Sequence, residues 1–247
     1  MTAYRTAVVT GASGGIGQAI VAELVGLGMH VHALALPDAA LASLDGLQAV
    51  TVHGVDVRDT AALAGTLAAI EPGVDVLVNN AGTIGDLQPV QQSTTGVADA
   101  LIDINLRAAV HATLLLLPGM LQRDLGHVVF TGSIAATRPT ANTAVYSATK
   151  AALNAFADGL RMDVHGSPVR VTVLAPGRVQ TGLYDEAMGG HDTAVARLYS
   201  GATAVQPADV AALVSLALTM PAHVDVTRVE VVPTGQVFGG STIAGMD

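Results

Sequence analysis

The sequence lacks cysteine and tryptophan, and only one of its 11 basic residues, Lys150, is a lysine. Without cysteine the chain has no disulfide, no thiolate ligand for a metal and no cysteine nucleophile. Acidic residues outnumber basic ones and give a formal net charge of −9. An acidic chain without clusters of basic residues is a poor binder of nucleic acid or of an anionic membrane surface. We therefore expect neither as a partner.

Long apolar runs are also missing, although 51% of the residues are hydrophobic. A membrane-spanning helix needs about 18 or more consecutive apolar residues. The chain enters an apolar, strand-like run almost at its first residue, without the layout of a signal peptide. These features predict a cytoplasmic protein. The richest apolar stretch, 97–121, is interrupted by Asp99, Asp103, Asn105, Arg107 and His111.

Short apolar runs alternate along the chain with longer Ala-rich stretches of helical spacing. The runs are continuously apolar, which is typical of parallel strands that are buried on both faces. The alternation predicts a single α/β domain, 1–247, with a Rossmann-like doubly wound parallel sheet of about seven strands and helices on both faces. The predicted strands are 6–10, 30–36, 50–55, 74–79, 127–131, 169–175 and 228–232, and the clearest predicted helices are 16–27, 60–70, 97–117, 143–164 and 207–219.

A glycine-rich loop, 10–17, follows the first predicted strand. Gly11, Gly15 and Gly17 have the spacing Gly-x-x-x-Gly-x-Gly, and a helix-compatible segment comes directly after them. Glycines in this position let the backbone turn tightly and approach a pyrophosphate at the helix N-terminus. The loop therefore indicates a nucleotide site, with an ordinary glycine-rich turn as the alternative.

Tyr146 and Lys150 are four residues apart in a predicted helix, so their side chains share one face. An unperturbed tyrosine has a pKa of about 10 and is a sluggish base at neutral pH. A cation one turn away favours the phenolate and lowers that pKa, which brings the group closer to the working pH of an acid–base catalyst. Ser133 ends the fifth predicted strand and can face Tyr146 across the same crevice. A surface Tyr–Lys pair is the alternative.

Together these motifs resemble the short-chain dehydrogenase/reductase family. The glycine loop, an Asn-Asn-Ala-Gly turn at 79–82 and the Ser133, Tyr146 and Lys150 group occur in the family's order, and the resemblance extends from Thr10 to about Val232. It implies an NAD(P)-dependent oxidoreductase that interconverts an alcohol and a ketone or aldehyde by hydride transfer, with Tyr146 as general acid and base. It also implies that Ser133 holds the substrate oxygen, and that Asn105 disturbs its helix and holds a water linked to the lysine.

The resemblance further implies which residues contact the coenzyme. Asp56 would accept from the adenine amino group with Val57 beside the ring, although a helix cap at Asp56 is nearly as good an interpretation. The Pro-Gly segment after the sixth strand would meet the nicotinamide. The expected coenzyme contacts are Gly11, Ser13, Gly15, Ile16, Gly17, Leu36, Asp56, Val57, Asn79, Ala81, Gly82, Tyr146, Lys150, Pro176, Gly177, Val179 and Thr181.

The choice between NAD and NADP is normally read at the end of the second strand. An Asp there binds the ribose 2′-hydroxyl, and an Arg accommodates a 2′-phosphate. This chain has Ala35, Leu36 and Pro37, and therefore neither discriminator. Because a 2′-phosphate would find no obvious local cation, we favour NAD slightly, with Asp38 as a substitute carboxylate. A site that Ala35 relaxes toward NADP is the alternative.

Substrate recognition is expected in a lid, 183–206, that covers a mostly apolar pocket and has a hinge at Gly189 and Gly190. Arg138 could attract an anionic substrate, but a structural role in the turn before Pro139 is the favoured interpretation. The expected substrate contacts are Ile84, Ser133, Ala135, Leu183 and Tyr184, with Met188, Leu198 and Tyr199 as further apolar lining.

Two other functions stay open. One is a 3-oxoacyl-carrier-protein reductase, which needs a basic patch for an acidic carrier protein. The other is a non-catalytic nucleotide sensor, which usually loses the Tyr or the Lys. The eight histidines show no metal-ligand spacing, so we expect no metal. The family resemblance implies a small-molecule substrate and a homotetramer.

Overall fold

The structure, a computed structural model, describes residues 2–71, 73–198 and 204–236. Seven parallel strands form one sheet in the order β3-β2-β1-β4-β5-β6-β7. The strand order reverses between β1 and β4, and doubly wound sheets bind ligands at such a point. The predicted fold class is therefore confirmed. The strands are β1 (Thr6–Thr10), β2 (His30–Ala35), β3 (Val50–Gly54), β4 (Val76–Asn79), β5 (His127–Thr131), β6 (Arg170–Pro176) and β7 (Arg228–Val231).

Helices cover both faces of the sheet and bury an apolar layer on each. Ile20 and Leu24 belong to the core on one face, and Leu63, Leu116 and Leu153 belong to the core on the other. Burial of each such side chain contributes about 1.5–3 kcal/mol. The helices are α1 (Gly15–Gly26), α2 (Ala39–Ala42), α3 (Thr60–Ile70), α4 (Thr95–Ile102), α5 (Ala108–Gln122), α6 (Ala144–Asp163), α7 (Asp185–Met188), α8 (His191–Leu198) and α9 (Pro207–Thr219).

Side-chain caps fix where several helices begin after their strands. The Asp59 carboxylate accepts from the backbone N–H groups of Ala61 and Ala62 and starts α3, and the Asp38 carboxylate accepts from Leu41 N–H and starts α2. Each cap satisfies donors that a helix N-terminus leaves unpaired. The cap of α3 is therefore Asp59, and Asp56 does not take the capping role that the sequence left open.

The predicted helix 97–117 is interrupted. α4 ends at Ile102, a π-helical turn follows at Asp103–Arg107, and α5 continues to Gln122. The whole segment Thr95–Gln122 is long and apolar enough to cross a membrane by length and composition. It packs against the sheet, however, because Ala112, Leu116 and Met120 are fully buried in the core. We interpret the segment as a core helix. The sequence also did not predict the short helices α2, α7 and α8.

Candidate active site

A cleft of about 730 Å³ lies at the carboxyl ends of the strands. It receives side chains from the turns that follow β1 to β6, which is where the sequence placed its motifs. Of the expected coenzyme contacts, those that line the cleft are Gly11, Ser13, Gly15, Ile16, Gly17, Leu36, Asp56, Val57, Ala81, Gly82, Tyr146, Lys150, Pro176, Gly177, Val179 and Thr181.

The glycine loop packs its backbone directly against neighbouring backbone. Gly11 has a φ of +64°, and a Cβ there would lie 2.7 Å from the Ala81 Cα. A Cβ on Gly17 would lie 2.1 Å from the carbonyl oxygen of Gly11. Glycine is required at both positions, and the first turn of α1 stays open toward the cleft without an acidic side chain. Free N–H groups at a helix N-terminus favour an anion such as a pyrophosphate, so a dinucleotide coenzyme fits this cradle.

The turn after β4 differs from the expectation in one residue. Asn79 is buried, its amide donates to Thr113 Oγ1 over 3.2 Å, and it does not line the cleft. Its neighbour Asn80 lines the cleft and donates from Nδ2 to the carbonyl oxygens of Thr10 and Gly11, at 3.2 and 3.1 Å. The position of Asn79 therefore does not support the expected coenzyme contact. Asn80 is the residue that braces the glycine loop.

Ser133, Tyr146 and Lys150 converge in the cleft from β5 and α6. All three are buried, with at most 8% of their surface exposed. The Lys150 ammonium donates to the Thr131 carbonyl oxygen over 2.8 Å and lies 5.9 Å from the centre of the Tyr146 ring. Ser133 Oγ accepts from Ala135 N–H over 3.1 Å, which orients the hydroxyl. The arrangement brings an acid–base group, a hydroxyl and a cation together.

Burial governs the ionisation of this group. It raises the pKa of Tyr146, the side-chain hydrogen bond with Ser133 partly opposes that rise, and the phenol of Tyr184 adds to it. Burial also lowers the pKa of Lys150 to about 8. The expected lowering of the tyrosine pKa by the lysine is therefore wrong for the protein alone. The ammonium donates to the Thr131 carbonyl oxygen, and desolvation of the buried phenol is the largest cause of the raised pKa of Tyr146.

Asn105 lies in the π-helical turn and is 1% exposed. Its Oδ1 accepts from Thr83 N–H over 2.8 Å, and its Nδ2 donates to the Thr83 carbonyl and to Thr149 Oγ1, at 2.9 and 3.2 Å. Thr149 in turn donates to the Tyr146 carbonyl over 2.7 Å. The expectation that Asn105 disturbs its helix agrees with this turn, and its side chain ties the turn to α6, which carries Tyr146 and Lys150.

The expected substrate contacts divide between two cavities. Leu183 and Tyr184 line the main cleft beside Ser133 and Tyr146. Ile84 lines an adjoining cavity of about 210 Å³, which shares Tyr146 with the cleft. Ala135 packs against the small apolar cluster that contains Ile84 and Tyr146, but it does not line either cavity.

The lid is described only in part. Residues 183–198 form a short 3₁₀ turn, α7 and α8, with Gly189 and Gly190 at positive φ between the two helices. Residues 199–203 of the predicted lid, and with them the expected contact Tyr199, lie outside the described residues. The last lid residues, 204–206, lead into α9. Arg138 pairs with Glu230 of β7, which agrees with its favoured structural interpretation.

The opposite end of the cleft is lined by Leu36, Asp38, Asp56 and Arg58. The Arg58 guanidinium bonds to both carboxylate oxygens of Asp56 and lowers the pKa of that carboxyl. The expectation that this end holds no local cation is therefore wrong. Because β2 and β3 are adjacent, a residue after β3 reaches a position that the sequence around β2 does not reveal.

Comparisons with known proteins agree with this site. The family model described as short chain dehydrogenase matches residues 5–189. An uncharacterized short-chain type dehydrogenase/reductase, y4eK, of Sinorhizobium fredii is 43% identical over 99% of this chain and 97% of its own length. The NADP-dependent 3-hydroxy acid dehydrogenase YdfG of Escherichia coli K12 is 34% identical over 95% of this chain and 97% of its own length.

A solved structure of the closed form of serine dehydrogenase complexed with NADP⁺ superposes with a TM-score of 0.91, at 33% identity, over 98% of this chain and 100% of its own. The fold and these matches define an oxidoreductase of the short-chain type. The chain belongs to the short-chain dehydrogenase/reductase family.

Proposed function

We propose that the chain interconverts a secondary or primary alcohol and the corresponding ketone or aldehyde by hydride transfer, with Tyr146 as general acid and base. The observation that carries this proposal is the convergence of Ser133, Tyr146 and Lys150 in the cleft that also receives the glycine loop. A surface Tyr–Lys pair would be solvated, whereas both of these side chains are buried. Buried groups with shifted pKa values in a cleft are typical of catalytic sites.

Each residue then has a defined task. A bound nicotinamide supplies the hydride acceptor or donor. During reduction the Tyr146 hydroxyl donates its proton to the substrate oxygen, and during oxidation its phenolate accepts the proton of the alcohol. The Ser133 hydroxyl holds the same substrate oxygen in reach. Lys150, whose pKa of about 8 keeps most of it protonated at neutral pH, favours the phenolate as it forms.

Small hydroxy acids are the substrates to test first. Two similar proteins act, by their names, on 3-hydroxy acids and on serine, each of which carries a hydroxyl and a carboxylate. The pocket beside Tyr146 offers the polar Ser133 and Tyr184 hydroxyls among apolar neighbours, which suits a small substrate with one reacting oxygen. The same names favour NADP, and none of these comparisons supports our slight preference for NAD.

A substrate panel tests the proposal and its rivals. Nicotinamide absorbance is followed with 3-hydroxy acids, simple secondary alcohols, ketones and acetoacetyl carrier protein, each with NAD(H) and NADP(H). We expect turnover of small alcohols and ketones. Turnover of the carrier-protein substrate alone would indicate a 3-oxoacyl-carrier-protein reductase, and tight coenzyme binding without any turnover would indicate a nucleotide sensor. Either result would contradict the proposal.

We further propose a homotetramer in the cytoplasm. Apolar side chains on α5 and α6 support an assembly, because Leu114 is 60% and Met162 76% exposed in the single chain. Large exposed apolar patches on a folded chain commonly mark contact surfaces.

A further inference from the structure

The end of the cleft opposite Tyr146 is assembled from two neighbouring strands. Ala35 of β2 pairs with Gly54 of β3, and Val55 N–H donates to the Ala35 carbonyl over 2.7 Å. The turn that carries Asp56 and Arg58 is therefore held beside Leu36, at the position where a coenzyme's adenosine ribose is read in this class of fold.

Arg58 is the cation available at that end. Among the described residues that line the cleft, the basic side chains are Arg58 and Lys150. Lys150 is buried at the other end and donates to Thr131. The Arg58 side chain is 49% exposed, and it uses its Nε and Nη2 on Asp56 at 2.6–3.0 Å. A guanidinium has five N–H donors, so further donors remain for a ligand.

Building on the proposed function, we infer that Arg58 binds the 2′-phosphate of NADP(H) and makes the chain prefer it over NAD(H). The position after β2, which would otherwise supply the cation, holds Leu36 and Pro37. A guanidinium matches a phosphate in bidentate geometry, and hydrogen bonds between two charged groups are the strong ones. An exposed ion pair such as Arg58–Asp56 contributes little to stability, so it does not prevent the guanidinium from binding a dianionic phosphate through its remaining donors.

Asp38 and Asp56 carry the opposing charges at this end. The Asp38 carboxylate accepts from Leu41 N–H over 2.6 Å and is held in the cap of α2. Asp56 holds the guanidinium at the rim of the cleft. Both carboxylates repel a phosphate, so the preference for NADP(H) depends on the guanidinium, and removal of the Asp56 charge should strengthen it.

Calorimetric titration with fragments that lack the nicotinamide tests this inference without any turnover. Adenosine 2′,5′-bisphosphate and adenosine 5′-monophosphate are titrated into the full-length protein and into Arg58→Gln, Asp56→Asn and Arg228→Gln. Arg228 is the control, because it is also an arginine paired with an aspartate, Asp158, but lies on β7 and does not line the cleft.

We expect Arg58→Gln to weaken binding of the bisphosphate about tenfold or more, since a charge-assisted contact is lost. The affinity for the monophosphate should stay within about twofold. Asp56→Asn should increase the ratio of bisphosphate to monophosphate affinity, a ratio that cancels any change in the adenine contact common to both ligands. Arg228→Gln should change the affinity for neither ligand. Equal weakening of both ligands by Arg58→Gln, no change in either, or a lower affinity ratio in Asp56→Asn would overturn the inference. Failure of the unaltered protein to bind NADH and NADPH would instead contradict the proposed function itself.

Discussion

Gly17 shows how a single missing side chain shapes the coenzyme cradle. A Cβ at this position would lie 2.1 Å from the Gly11 carbonyl oxygen, whereas a Cβ on Gly14 would meet the same oxygen at an ordinary 3.5 Å. We predict that Gly17→Ala abolishes coenzyme binding or destabilises the fold, and that Gly14→Ala retains both. Thermal unfolding and NADPH titration of the two variants measure this. Equal behaviour of both variants would show that the close approach has no consequence.

The ionisation of Tyr146 determines how the rates of oxidation and reduction are expected to depend on pH. Because burial raises its pKa, the residue is a protonated phenol at neutral pH and is ready to act as an acid in reduction. Oxidation needs the phenolate, whose fraction grows as the pH rises toward that pKa. We predict that kcat/KM for alcohol oxidation rises between about pH 7 and 8, while kcat/KM for reduction does not. The rise should flatten above about pH 8, where Lys150 loses its charge. An oxidation profile that is flat or falling from pH 7 would contradict this.

The sequence predicted a site residue where both its chemical type and its position in a motif pointed to the same role. Tyr146 and Lys150 follow from their separation by one helical turn, and Ser133 from its place at a strand end. Asn80 and Arg58 could not be found in this way. Asn80 matters through bonds to Thr10 and Gly11, and Arg58 through the pairing of β2 with β3, and both depend on the tertiary fold. The predicted direction of the Tyr146 pKa shift was wrong, because the sequence does not show that the phenol is buried.

The π-helical turn at Asp103–Arg107 links the segment after β4 to α6. Asn105 makes three hydrogen bonds from this turn, two of them to the Thr83 backbone. We predict that Asn105→Ala lowers the free energy of unfolding by about 1–3 kcal/mol, because it leaves the partly buried backbone N–H and carbonyl of Thr83 without these hydrogen bonds. Urea denaturation measures the loss. Unchanged stability together with unchanged turnover would show that this network holds nothing in place.

At the scale of whole elements, the sheet was predictable and the interruptions were not. Apolar runs located every strand within about two residues, because parallel strands are buried on both faces. The break between α4 and α5 does not show in the apolar pattern, which continues across the π turn, and only the family resemblance implied that Asn105 disturbs this helix. The helices α2 and α7 have four residues each, which is too short for a helical periodicity to appear.

In the described part of the chain, apolar side chains of α5 are exposed, and this carries a prediction about assembly. Leu114 and Leu115 of α5 are 60% and 42% exposed. We predict that light scattering coupled to size exclusion gives four times the chain mass of 24.8 kDa. Leu114→Glu should shift the protein toward smaller species, because a charge is costly in an apolar contact. A monomer at micromolar concentration would contradict the tetramer.

The fold as a whole explains why residues from distant parts of the sequence form one site. Parallel strands end at the same edge of the sheet, so the turns after β1, β4, β5 and β6 open onto one cleft. The sequence could predict this convergence from strand–helix alternation alone. It could not predict the coenzyme preference or the substrate, because those depend on side chains that meet only after the strands are paired.

In the proposed reaction the Tyr146 hydroxyl transfers the proton. Tyr146→Phe removes one oxygen and preserves the packing of the ring. Steady-state kinetics with the best substrate of the panel should then show kcat/KM reduced about 100-fold to 10,000-fold. The dissociation constant of NADPH, titrated by fluorescence, should stay within about twofold of that of the unaltered protein, because phenylalanine keeps the ring that lines the cleft. A kcat/KM within a few-fold of that of the unaltered protein would contradict proton transfer by Tyr146.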